Sequence, residues 1–97
     1  MQNTGIKPIV LKEIRKAAEE NGIEKIILYG SRARGDYKRT SDIDLAVCGG
    51  NTAKFAMEIE ESTSTLLEYD VVDLGRPVQQ ELLESIQKEG VVLYEKI

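Results

Sequence analysis

"YGSRARGDYKRTSDIDLAV", residues 29–47, is the stretch on which the reading of this chain turns. The apolar run "KIILY" (25–29) ends at Tyr29 and reads as a short buried strand. Residues 30–41 read as loop, and "DIDLAVC" (42–48) alternates as a second strand should. Along a strand, residues two apart project from one face, roughly 6.5–7 Å from each other. Asp42 and Asp44 therefore face one way, and Ile43, Leu45 and Val47 face the other as core. Neighbouring carboxylates repel, and neither is readily buried unpaired. A divalent cation would resolve that cost, and Mg²⁺ favours hard oxygen ligands of this kind. By itself the pair is a weak signal, because a wet strand end also accommodates two acids.

The loop adds to it. Arg32, Arg34, Lys38 and Arg39 place four of the chain's 13 cations here, against one anion, Asp36. Gly30 permits close backbone approach to a ligand, and Ser31 offers a hydroxyl and an N–H to a phosphate oxygen. Such a segment could neutralise a triphosphate. "GSRARG" (30–35) carries the two glycines of a Walker A loop, but Asp36 and Tyr37 follow where Lys and Ser or Thr are required. The "RGD" at 34–36 has nothing extracellular around it and reads as chance.

Outward from this stretch, helices alternate with strands. Residues 8–21 read as a helix with Pro8 in its first turn, an apolar stripe of Ile9 or Val10, Leu11, Ile14, Ala17 and Ala18, and Gly22 as terminator. Residues 52–67 read as a second helix, weakened by "STST" (62–65). "YDVVDL" (69–74) is a third strand. A helix from Pro77 to Gly90 and a strand "VVLYE" (91–95) complete the order α-β-β-α-β-α-β. The expected fold is α/β with an α+β-like two-layer character, a small mixed sheet with helices packed on it, in one domain over residues 1–97. The third strand supplies a further acid for a two-metal site, Asp70 or Asp73. They differ by three and point to opposite faces, so alternation leaves both open.

The bulk numbers narrow the chemistry. The net charge of −4 argues against a broad duplex-DNA surface. There is no histidine and a single cysteine, Cys48, which excludes Ser-His-Asp and Cys-His catalysis, an HExxH zinc site and an internal disulfide. A general base must be a carboxylate, lysine or tyrosine. Tyr29, Tyr37, Tyr69 and Tyr94 read as core or surface aromatics. No apolar run approaches the ~20 residues that span a bilayer, and "MQNTGIKPIV" lacks a signal-peptide pattern, so the expected location is cytoplasmic.

Gly30-Ser31, ten residues, then Asp42-Ile43-Asp44 resembles the GS-x10-DxD signature of the polymerase-beta-like nucleotidyltransferases. The chain is similar in particular to their minimal nucleotidyltransferase (MNT) group, over most of its length. The resemblance implies that Gly30 and Ser31 hold the nucleotide's terminal phosphates, with Arg32 and Arg34 beside them. It implies that Asp42, Asp44 and, by its place in "YDVVDL", Asp70 are the catalytic acids and bind Mg²⁺, two ions in all. The implied reaction moves a nucleoside monophosphate, AMP in the first instance, from ATP or another NTP to a hydroxyl. In MNT relatives the partner is commonly a helical HEPN-type toxin, adenylylated on a tyrosine, with the MNT protein as antitoxin. Two alternatives stand beside this reading: a non-catalytic module that neutralises a partner by contact, and a nucleotidyltransferase for a small molecule such as an antibiotic.

Overall fold

Pro8 opens helix α1 (Pro8–Glu20), where its missing N–H has no intrahelical partner to lose. The computed structural model describes residues 3–97. Helix α1 buries Val10, Leu11, Ile14, Ala17 and Ala18, while Ile9 turns to solvent. Strand β1 (Lys25–Tyr29) follows. The segment that reads as loop then begins with one helical turn, α2 (Ser31–Arg34), before β2 (Ile43–Cys48). Asp42 thus lies one residue ahead of its strand. Next come α3 (Thr52–Ser62), β3 (Tyr69–Asp73), α4 (Gln80–Glu89) and β4 (Val91–Glu95).

Two helices are shorter than their apolar patterns suggest. Asn51 caps α3 by accepting from the Lys54 N–H, but the helix stops at Ser62 rather than continuing to 67. Thr63 turns its hydroxyl back onto the Ile59 carbonyl, a local bond that competes with helix continuation. Helix α4 starts at Gln80, so Pro77 and Val78 belong to the connection rather than the first turn.

The sheet is mixed, in the order β3-β2-β1-β4. β1 runs antiparallel to both β2 and β4, and β2 runs parallel to β3. Helices α1 and α3 cover the face carrying Ile26, Leu28, Ile43, Leu45 and Val47, all fully buried, and Phe55 and Ile59 of α3 join that core. Helix α4 lies against the opposite face, where Ile86 and Leu82 pack with Tyr29, Ile27, Ala46 and Val72. On that same face Asp44 of β2 stays partly exposed. No described helix is long and apolar enough to cross a membrane.

Candidate active site

Register decides which side chains meet. Tyr29 of β1 pairs with Asp44 of β2, and Asp44 pairs with Asp70 of β3. Paired residues share a face, so these three form a row across the strands, on the side away from α1 and α3. Asp42, two residues before Asp44, lies exposed at the strand mouth, where its charge reaches Asp44. Asp73 pairs with Val47 and so falls on the core-facing side. It is engaged there, accepting from the Gly75 N–H at 2.8 Å and facing Arg76 at 3.7 Å. The ambiguity that alternation leaves between Asp70 and Asp73 is thus removed by strand pairing.

The acids feel one another. Burial, then the charges of Asp70 and Asp42, push the Asp44 carboxyl up to about 6, against weaker opposing pulls from Arg34 and Arg32. Burial followed by Asp70 and Asp44 pushes the Tyr29 phenol up to about 12. Tyr29 thus stays a protonated neighbour of the acid row. Sequence reading assigned it no part there; its place directly before Gly30, on the strand paired with the acids, was the available signal. Among the described residues, none of Asp42, Asp44 and Asp70 has an ion pair. Nor is any group of three or more acid or cysteine side chains among the described residues placed to hold a metal ion as it stands. The donors are all carboxylate oxygens, on a charge-strained shelf. That chemistry fits a hard cation that keeps part of its water and takes ligands from a substrate phosphate.

Gly30 joins the row to the basic loop. Its φ of 75° and ψ of −158° lie in a region essentially reserved for glycine. A Cβ there would land on the Asp44 carboxylate. The turn therefore brings bare backbone against the acid, and Ser31, half-buried, starts α2 immediately after.

The cations divide. Arg34 keeps an exposed guanidinium, held by Glu89 of α4 at 3.1 and 3.2 Å and by Asp36 at 3.3 Å. These carboxylates raise its already high pKa further. Arg32, expected beside it at the phosphates, is elsewhere. Its side chain is 1% exposed and bonded to backbone carbonyls, because the α2 turn directs it into the protein rather than toward solvent. A cleft of about 800 Å³ also lies elsewhere, between the N-terminal segment and residues 63–67. None of the three acids lines it.

Comparison with known proteins adds a family and a fold likeness. The profile of the Polymerase beta, Nucleotidyltransferase family matches residues 12–97. A relative from Methanocaldococcus jannaschii, named "Putative protein adenylyltransferase MJ0604", is 38% identical over 88 residues, covering 81% of this chain and 86% of its own. A crystal structure of a toxin–antitoxin with AMP-PNP superposes with a TM-score of 0.71 at 26% identity, over 89% of this chain and 73% of that one. A substituted form of the toxin–antitoxin MntA-HpeT gives 0.67 at 26% identity, over 88% and 72%. By family profile, sequence identity and fold together, the chain belongs to the polymerase-beta-like nucleotidyltransferases, as a minimal member of that family.

Proposed function

We propose that the chain transfers AMP from ATP to a hydroxyl of a partner protein, and that this transfer is how it acts as an antitoxin. The observation that carries the catalytic part is the pairing of Asp44 with Asp70, with Asp42 near enough for its charge to act on Asp44. The relative named as an adenylyltransferase and the toxin–antitoxin likenesses support the choice of nucleotide and of partner.

The residues take distinct parts. Gly30 lets the triphosphate approach the backbone, and the Ser31 hydroxyl and N–H donate to its terminal oxygens. Arg34 exchanges Glu89 for a phosphate, a charge-assisted contact of the same kind. Asp42, Asp44 and Asp70 would hold Mg²⁺, in two positions. When bound, that metal supplies charge neutralisation at the transferred phosphate and acidifies the attacking hydroxyl. Asp70, exposed at the edge strand, accepts the hydroxyl's proton as it attacks the α-phosphorus and pyrophosphate departs. The acceptor is a tyrosine of a HEPN-type helical toxin.

The test incubates the protein with α-labelled ATP, Mg²⁺ and the product of the neighbouring gene. Label is expected on a tyrosine of that product, and toxicity is expected to fall with it. Full neutralisation by an Asp42→Ala/Asp44→Ala double variant that transfers no label would overturn the catalytic reading and leave a contact module. Label on an antibiotic supplied in place of that product would point to a small-molecule enzyme.

A further inference from the structure

We propose that Arg32 is a positioning residue, whose buried guanidinium sets the course of the basic loop and, through the Ser41 carbonyl, the placement of Asp42. The inference rests on Asp42 being a metal ligand, as proposed above.

The geometry is a cation wrapped in backbone. Arg32 Nε donates to the Ser41 carbonyl at 3.0 Å, and Nη1 donates to the Thr4 carbonyl at 3.0 Å. Nη2 donates to the carbonyls of Arg39 at 3.3 Å and Lys38 at 3.5 Å. The guanidinium carbon stands 4.9 Å from the centre of the Tyr37 ring. A desolvated charge is costly unless its donors are met, and here carbonyl dipoles meet them. Only a planar, multidentate donor reaches carbonyls arriving from separate directions; an ammonium is a single point with three donors.

What these bonds fix is the approach to Asp42. Residues 38–41 form a tight turn: Ser41 N–H donates to the Lys38 carbonyl at 3.1 Å, and Lys38 N–H donates to Ser41 Oγ at 2.8 Å. Arg32 grips carbonyls of that turn from inside. The peptide whose oxygen it holds at Ser41 is the one that leads into Asp42. Its remaining bond ties this arrangement to the N-terminal segment. There Gly5, at φ 71°, passes so near that a Cβ would strike the Tyr37 ring and the guanidinium. The Tyr37 hydroxyl donates to Asn3 Oδ1 at 3.1 Å, closing the assembly. Arg32 is thus a buried scaffold for an exposed acid, in a loop whose other cations face solvent.

A phosphate ligand and a positioning residue fail differently. Arg32→Lys and Arg32→Gln are compared with the wild type, first without nucleotide by hydrogen–deuterium exchange. Exchange across residues 36–42 is expected to rise about tenfold or more while β1 and β2 stay protected. In the transfer assay kcat is expected to fall about 10- to 100-fold, as for other groups that orient a metal ligand. The half-saturating Mg²⁺ concentration should rise, and the KM for ATP should change by less than about threefold. Low-millimolar guanidinium should restore part of the rate to Arg32→Ala. If Arg32→Gln does not fold, Tyr37→Leu, which removes the ring beneath the guanidinium, is read the same way, with Tyr37→Phe as the control for the lost hydroxyl bond to Asn3. Unchanged exchange in 36–42 overturns the inference, as does a raised KM at constant kcat. A wild type without transfer activity would sink the functional reading alone, because exchange and direct Mg²⁺ titration still decide what Arg32 does.

Discussion

Replacing Asp44 with asparagine should make the metal-free protein more stable and the enzyme inactive. The carboxyl titrates at about 6 in the fold against a usual value of 3.8, chiefly from burial and then from Asp70 and Asp42. At 1.36 kcal/mol per unit, that difference is about 3 kcal/mol before allowance for solvent. Asp44 is only partly buried, so screening reduces it to about 1–2 kcal/mol. The sign follows from linkage. Below pH 3.8 the group is protonated folded and unfolded, and it costs the fold nothing. As pH rises toward and through 6, the unfolded chain ionises readily and the folded one reluctantly, so stability is lost. Urea unfolding of wild type and Asp44→Asn should therefore give coincident midpoints near pH 3.5, if both remain folded there. The variant should gain progressively up to about pH 7, where an advantage of 1–2 kcal/mol moves the midpoint by roughly 1 M. Magnesium should close the gap from the other side. At ten times its dissociation constant it stabilises the wild type by about 1.4 kcal/mol and leaves the variant nearly unmoved. An Asp44→Asn protein that is less stable at neutral pH, or a gap that does not change with pH, would refute the idea of a carboxylate held under charge strain for metal binding.

Three other outcomes test the site. Asp70→Asn should reduce transfer by about 100-fold or more. Asp73→Asn should keep transfer and lose at most about 1 kcal/mol of stability, because its Arg76 contact is exposed. The reverse ranking in a labelled-ATP assay would make Asp73 the third acid. Glu89→Gln weakens the hold on Arg34 and leaves only its Asp36 ion pair, so the KM for ATP should fall about two- to fivefold at unchanged kcat. An unchanged KM in steady-state kinetics removes Arg34 from the phosphate site. Gly30→Ala should cost roughly 1–3 kcal/mol in thermal or urea unfolding and abolish transfer, since it combines a glycine-only conformation with a clash against Asp44. Wild-type stability in that variant would mean the glycine turn and the acid are not in contact.

How much of this was readable from residues alone depends on the range of the interaction involved. The alternation at 42–48 is local, and it correctly separates Ile43, Leu45 and Val47, which are fully buried, from Asp44. The helix over residues 8–20 is local too, since its stripe needs no partner to be seen. The end of α3 was signalled by the poor helix formers at 62–65, although the apolar Leu66 and Leu67 pulled the expected boundary past them. Leu66 is instead fully exposed, so its hydrophobicity says nothing about a helical face. The α2 turn was hidden because it is one turn long and set between two positive-φ glycines, Gly30 and Gly35, which leaves no apolar periodicity to read.

Asp70 and Arg32 mark the two kinds of information that a linear reading lacks. Choosing between Asp70 and Asp73 requires the register of β2 on β3, a relation between strands joined through a helix. Within β3 alone both acids satisfy every local rule, and one step of slip would exchange their faces. Arg32 poses the opposite problem. Its neighbours Arg34 and Arg39 make it look like one of a set of solvated cations, and by charge it belongs with them. What distinguishes it is the cluster of backbone carbonyls that its own turn helps to assemble, so the group and its solvation shell exist only in the folded chain. A basic loop read as one electrostatic unit is thus two parts. Arg34 remains exposed and can change partners, whereas Arg32 is committed to the backbone and acts on the acids by where it holds the chain and, weakly, through its charge on Asp44. The two are separated by a single residue, Ala33, and their roles are set by which side of a one-turn helix each occupies.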